Sequence, residues 1–305
     1  MKQTFYSNGK LLITGEYAVL DGAKALALPT KFGQNLIVEE FQNDQISWKS
    51  FDSDGNIWFE DVIDFKSIRN KEQFSTEEIT KNTLIGILHE AFLLNPEFIE
   101  NSNGYKVTTQ LTFPKNWGLG TSSTLINNIA QWTKVNAFKL LKNSFGGSGY
   151  DIANAQNNFP IIYWLEQGNP KVERANFNPT FSEHIYFVYL NKKQNSKSAI
   201  ASYKEKKASI SETVLLINNL TSEITEAENL VQFQDLIEKH EALMSTVLET
   251  PTVKEKYFKD FNGSVKSLGA WGGDFVMVTS EENPSAYFKE KGFETILSYE
   301  EMMLQ

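Results

Sequence analysis

The chain contains no cysteine in 305 residues. That removes disulfides, thiolate metal ligands and a cysteine nucleophile from consideration, and it fits a reducing compartment. Histidine is nearly as scarce: His89, His184 and His240 stand far apart, with no spacing that would gather them on a metal. A metal held wholly by protein side chains is therefore not expected, whereas magnesium brought in by a nucleotide is compatible with the composition. No apolar run approaches the length of a membrane span, and the first residues lack the charged-then-apolar pattern of a secretory signal. A soluble, cytoplasmic protein with no membrane partner is the expectation. A basic stripe is missing too. The net charge of −9 argues against nucleic acid as a partner, and an anionic substrate would have to be met by local groups, because the global field opposes it.

What the chain does have is apolar material. Hydrophobic residues make up 41% and aromatic residues 13%, enough for one large domain or two ordinary ones. Residues 10–14 and 25–28 read as strands around a turn at Asp21-Gly22. Residues 34–41 and 45–51 continue the strand pattern, and Asp54-Gly55 predicts a hairpin. Apolar periodicity predicts an amphipathic helix over 76–94, a strand over 104–113, a helix from about 119 to 132 and a shorter helix over 135–141. Strands follow at 160–166 and 184–190, then a mostly helical stretch over 200–249 broken near 220–225. The tail reads strand, loop, strand, helix, strand. The fold class is α+β, and the division between halves falls near 177–183, giving domains 1–178 and 179–305.

Four short motifs carry chemistry. Residues 114–132 read PKNWGLGTSSTLINNIAQW. Gly118 and Gly120 keep side chains away where an anion approaches backbone amides, and the helix that follows points its first N–H groups at the same place. Leu119, between the glycines, and the hydroxyls of Thr121, Ser122 and Ser123 complete a phosphate cradle, and a hydroxyl here can also reach magnesium. The same residues alone are compatible with a plain helix N-cap. No lysine follows the second glycine, so this is not a Walker loop. Lys10, at the head of an apolar strand, is placed to neutralise a transferring phosphoryl group, or is a solvated strand end. Asp151, after the glycine turn GGSGYD, is a helix cap or a base for a substrate hydroxyl. Residues 267–275, SLGAWGGDF, form a glycine loop between two strands, either against a ligand or as a bulged hairpin.

Taken together and in this order, the four blocks resemble the GHMP small-molecule kinases, the group of galactokinase, homoserine kinase, mevalonate kinase and phosphomevalonate kinase. Pro114 with Gly118 through Ser123 matches the family's phosphate loop. Gly9, Lys10, Gly15, Glu16, Tyr17 and Val19 match its N-terminal block. Ser148, Gly149 and Asp151 match its S-G-x-D block, and Gly269, Ala270, Gly272 and Gly273 its C-terminal glycine block.

The resemblance implies an N-terminal domain like ribosomal protein S5 domain 2, a ferredoxin-like C-terminal domain, and ATP and an acceptor meeting in a cleft between them. By similarity, Gly118–Ser123 would cradle the phosphates of ATP, with Ser122 at the Mg2+ position. Lys10 and Asp151 would be catalytic. Glu16 and Tyr17 would lie on the acceptor side, and Gly269, Ala270, Trp271 and Gly272 would close that side. The implied cofactors are ATP and Mg2+, and the implied acceptor is mevalonate or 5-phosphomevalonate. Tyr17 and the Gly272-Gly273-Asp274 ending look more like phosphomevalonate kinases, and Lys192, Lys193 and Lys197 would suit an acidic acceptor.

Three departures stand out. Leu140 occupies the position of a magnesium-binding glutamate in mevalonate kinases, the spacer before Asp151 is short, and Trp271 stands where the family has glycine. Mevalonate kinase, a diphosphomevalonate decarboxylase-like enzyme and a non-catalytic ligand-binding relative are the alternatives.

Overall fold

The computed structural model describes residues 2–192, 200, 203–205, 210–269 and 271–304. Two of the expected acceptor-side residues, Lys197 and Ala270, lie outside the described residues, as does Lys193. Contacts group the chain into two compact units built from interleaved segments. Unit 1 holds residues 1–9, 32–115 and 119–156, and unit 2 holds 10–31, 116–118 and 157–305.

The strands β1 (Lys2–Leu12) and β2 (Ala25–Glu40) contribute residues to both units. In unit 1, β3 (Gln45–Phe51) and β4 (Ile57–Asp64) form the hairpin that Asp54-Gly55 predicts. Asp64 then caps α1 (Phe65–Asn70) by accepting from Ser67 N–H, and α2 (Ile79–Leu94) and α3 (Glu97–Glu100) follow. Strand β5 (Tyr105–Leu111) runs parallel to β3 and antiparallel to β2, in the register Gln34 to Leu111. The helices α4 (Thr121–Thr133), α5 (Ala137–Ser144) and α6 (Tyr150–Ala155) complete the unit. Its core joins sheet residues such as Leu36, Trp48 and Val107 to helix residues such as Leu88, Ile126, Ile129 and Leu140. Burial of side chains this large supplies most of the driving force, at about 1.5–3 kcal/mol each.

In unit 2, β6 (Ile161–Glu166) pairs with the start of β2 and with β7 (Asn169–Arg174). A four-stranded antiparallel sheet follows, built from β8 (Ile185–Tyr189), β9 (Ser264–Ser267), β10 (Phe275–Thr279) and β11 (Ile296–Ser298), in the order β11-β8-β10-β9. The helices of this part are α7 (Ile210–Thr225), α8 (Leu230–Leu248), α9 (Val253–Tyr257), α10 (Ser285–Glu290) and α11 (Tyr299–Met302).

Local structure departs from the sequence expectation in several places, among them three with a local physical reason. Strand β1 begins at Lys2, eight residues before the apolar run at Lys10, because pairing with β2 overrides a polar sequence. The helical break falls after Thr225. Within 220–225, Thr221 stays helical because its buried hydroxyl donates to Thr14 Oγ1 at 2.8 Å. At the C-terminus, the expected strand gives way to α11 after Ser298, since Ser298 and Glu301 form a reciprocal capping box.

Candidate active site

Helix α4 starts directly after Gly120, which sits at φ 96° in the left-handed region. No side chain caps this helix, so its first N–H groups and the positive end of its dipole are left to another acceptor. The hydroxyls divide in role. Ser122 is exposed and Thr121 half-buried, whereas Ser123 is buried and donates to Gly120 O at 2.9 Å. Leu119 is sealed in the interior. Asp151 is half-buried in the first turn of α6, two residues past a left-handed Gly149.

A buried neutral network fastens these two helices within unit 1. Asn127 Nδ2 donates to Ser7 Oγ at 2.9 Å, and Ser7 Oγ donates to Asn128 Oδ1 at 2.7 Å. Asn128 Nδ2 donates to Gln34 O and Thr124 Oγ1 to Gln34 Oε1, each at 2.8 Å. Gln156, just past α6, donates to Asn127 Oδ1 at 2.9 Å, and Asn154 Nδ2 donates to Gly9 O at 3.1 Å. Each of these donors meets an acceptor, which specifies orientation, while Asn154 Oδ1 is buried without a hydrogen-bond partner among the described residues. The only trace in the sequence is Asn-Asn in the middle of an amphipathic helix, which reads as solvent-facing until α4 is found buried on that side.

Unit 2 gathers the remaining expected residues around two points. At the first, half-buried Lys10 donates from Nζ to Gly118 O at 3.2 Å. Gly118 has φ 72°, and a Cβ there would lie 2.4–2.8 Å from the Asp274 carboxyl atoms. The glycine is thus required by its conformation and by the acidic side chain against it. Asp274 is pinned through its backbone, its N–H donating to Lys192 O and its carbonyl accepting from Leu190 N–H. Asn116 and Trp117 anchor the same loop, Tyr189 Oη donating to Asn116 O and the Trp117 ring lying edge-on to Phe275.

At the second point, Trp271 N–H donates to Tyr17 Oη at 3.1 Å, and the Tyr17 ring stacks on Tyr203 at 5.6 Å between centroids. Tyr203 in turn donates to Asp21 Oδ2 at 2.8 Å, and burial beside that carboxylate drives its phenol pKa up. Tyr17 is buried at φ 58°, a conformation unusual for a bulky residue that persists only where its surroundings dictate it. Gly269 and Gly272 lie on the loop between β9 and β10.

Glu16 does not reach the surface. Its side chain is 0% exposed and its Oε1 accepts from Lys266 Nζ at 2.6 Å. Lys266 also donates to Glu241 Oε1 at 3.3 Å, and Glu241 Oε2 accepts from Ser267 Oγ at 3.1 Å. On the other side, Glu16 Oε2 lies 3.4 Å from His240 Nε2. Burial raises the Glu16 carboxyl to about 7, against the opposing pull of Lys266. Burial likewise raises Glu241 and holds His240 well below its ordinary value. Sequence reading missed Lys266, His240 and Glu241. The one available signal was a lysine in the middle of an otherwise uncharged strand, SVKSLG.

No protein-family model and no curated protein matches the sequence. The fold, however, has solved counterparts over its whole length. Methanococcus jannaschii mevalonate kinase superposes with a TM-score of 0.72 at 17% identity, covering 100% of this chain and 99% of that one. Streptococcus pneumoniae phosphomevalonate kinase, solved with phosphomevalonate and AMPPNP, gives 0.67 at 16% identity and 95% of both chains. Lactococcus lactis galactokinase, solved with galactose, gives 0.68 at 14% identity over 99% of this chain and 93% of that one. The chain has the GHMP-kinase fold.

Within that GHMP-kinase fold, Leu140 lies wholly in the core of unit 1 on α5. Among the described residues no cluster of three or more His, Asp or Glu side chains could hold a metal, and no helix is long and apolar enough to cross a membrane.

Proposed function

We propose that this chain is an ATP-dependent kinase of the mevalonate pathway, acting in the cytoplasm on a small acidic acceptor, with 5-phosphomevalonate favoured over mevalonate. The observation that carries the reading is the start of α4: a left-handed Gly120, a first helical turn without a side-chain cap, and the exposed hydroxyl of Ser122. A polyphosphate fits that arrangement, because orphan N–H groups and the helix dipole both favour an anion. Bound there, ATP with magnesium supplies the transferable phosphoryl group. Gly118–Ser123 would hold its phosphates and Ser122 its metal. Position 140 offers no second carboxylate, since Leu140 is sealed in the core, and the metal would depend more on Ser122 and on the nucleotide itself.

Asp151 accepts the proton of the acceptor hydroxyl, and Lys10 opposes the charge that develops on the phosphoryl group and lowers the hydroxyl's pKa. Tyr17, Trp271, Gly269 and Gly272, with Ala270 and Lys197, belong to the acceptor side. The likeness of Tyr17 and of Gly272-Gly273-Asp274 to phosphomevalonate kinases is what favours the phosphorylated acceptor over mevalonate. The test is coupled ATP turnover with mevalonate, 5-phosphomevalonate, 5-diphosphomevalonate, homoserine and galactose, with carbon dioxide measured in parallel. Fastest turnover with 5-phosphomevalonate supports the reading. Turnover of mevalonate alone reassigns the acceptor, and release of carbon dioxide assigns the decarboxylating chemistry. Nucleotide binding without turnover of any acceptor makes the chain a non-catalytic relative.

A further inference from the structure

The buried group around Glu16 contains more acceptors than its visible protons can satisfy. Two hydrogen-bonding atoms converge on one nitrogen: Gly15 N–H donates to His240 Nε2 at 3.3 Å, and Glu16 Oε2 stands 3.4 Å from the same atom. Gly15 N–H points at it, so Nε2 presents its single lone pair and the ring hydrogen belongs on Nδ1, which is buried with no hydrogen-bond partner among the described residues. A carboxylate oxygen facing that lone pair would set two acceptors against each other in a site shielded from water. Glu16 Oε2 has no other hydrogen-bond partner among the described residues. On its far side, one ammonium, Lys266, serves both Glu16 and Glu241. With both carboxylates ionised, the cluster would carry an uncompensated buried negative charge.

We propose that one proton is held between Glu16 Oε2 and His240 Nε2, and that this proton, with the Lys266 ion pair, fixes the turn from Gly15 to Tyr17. Glu16 is the donor and neutral His240 the acceptor. Lys266 then faces a single carboxylate, and the cluster is electrically balanced. Lys266 and His240 are positioning residues: they act on Tyr17 through the backbone of Gly15 and Glu16, while Tyr17 Oη meets Trp271 N–H on the other side of the turn. Among the described residues, the titratable groups around Glu16 are Lys266, Glu241 and His240. Helix α8 contributes His240 and Glu241, β9 contributes Lys266, and α7 contributes the neutral Thr221, bonded to Thr14. The raised carboxyl of Glu16 and the depressed imidazole of His240 have the directions that such a proton demands.

The sign of the pH effect follows. Below pH ~6.5 the unfolded chain protonates His240 while the folded chain protonates Glu16, so the two contributions oppose each other. Above that, the unfolded chain carries neither proton, and the stability contributed by Glu16 is lost as pH rises through about 7. Glu241, raised as well, acts in the same direction.

Two measurements on the full chain test this. A long-range proton–nitrogen correlation spectrum of the three histidines identifies the protonated ring nitrogen of His240. The expected result is a neutral Nδ1–H ring from pH 5.5 to 8.5; an Nε2–H ring or an imidazolium at pH 6 overturns the proposal. Separately, the melting temperature of the wild type is expected to fall by about 1 °C between pH 6.5 and 8.5. Glu16→Gln, whose amide reproduces the protonated carboxyl, is expected to show a smaller fall, with only the Glu241 share left; a variant with the same fall as wild type overturns the proposal. Neither readout uses turnover, so a chain that fails as a kinase can still pass or fail this test.

Discussion

In unit 1, the helices bearing Ser122 and Asp151 are fastened by neutral groups: Ser7, Gln34, Thr124, Asn127, Asn128 and Gln156. In unit 2, the turn bearing Tyr17 is fastened by ionisable groups: one lysine, two glutamates and one histidine, all buried. The two devices solve one problem, the orientation of a short polar segment over a hydrophobic core, with different consequences. Matched amides and hydroxyls are indifferent to pH across the physiological range. A buried ion cluster is costly to assemble and more costly to unbalance, and its proton count changes near neutrality. The helices that would meet nucleotide and perform proton transfer therefore rest on a support that does not titrate, whereas the turn proposed for the acceptor side rests on one that does.

The strongest way to break this contrast is Lys266→Met. Removing the ammonium strands Glu16 and Glu241, and a loss of about 3–5 kcal/mol in unfolding free energy is expected at pH 8. The loss should shrink at pH 5.5, where the carboxylates can take up protons. Equal losses at both pH values in urea titrations would show that charge is not what fastens the turn.

Asp151→Asn probes the neutral side. A rigid α6 should leave nucleotide affinity nearly unchanged while turnover drops by roughly 10²- to 10⁴-fold. Unchanged turnover would end the assignment of Asp151 as base.

Asn128→Ala opens the neutral network, removing the acceptor of the Ser7 hydroxyl and the side-chain donor to Gln34 O. About 1–3 kcal/mol of stability should be lost, by the same amount at pH 5.5 and pH 8. A pH-dependent loss would erase the distinction between the two supports.

The smallest effect is expected for Ser122→Ala. Stability should stay within ~0.5 kcal/mol of wild type, because the side chain is exposed. Use of magnesium–ATP should weaken by roughly fivefold, the worth of one ~1 kcal/mol interaction. Wild-type ATP kinetics in this variant would count against the cradle.

Much of this was legible in the chain because it is local. Gly118, Gly120 and the hydroxyls announce the start of a helix within six residues, and Asp54-Gly55 announces its hairpin from the turn alone. The period of apolar residues placed α2, α4 and β5 to within a few positions. The polar residues that matter most to positioning were not legible. Asn127 and Asn128 look like a solvated helix face, and Lys266, His240 and Glu241 look like unrelated surface charges, until burial shows otherwise.

By itself the sequence determined the α+β class, most of the elements, the motif order that resembles the GHMP kinases, and the identities of Lys10, Ser122 and Asp151 as chemical groups. Only the tertiary structure decided that Glu16 turns inward to Lys266, 250 residues away in the chain, that Gly118 makes room for Asp274, and that Tyr17 meets Trp271. Helix starts, turns and periodicity are encoded by neighbours along the chain. Whether a charged side chain is buried, and which partner balances it there, depends on residues far apart in sequence that only folding brings within a few ångströms.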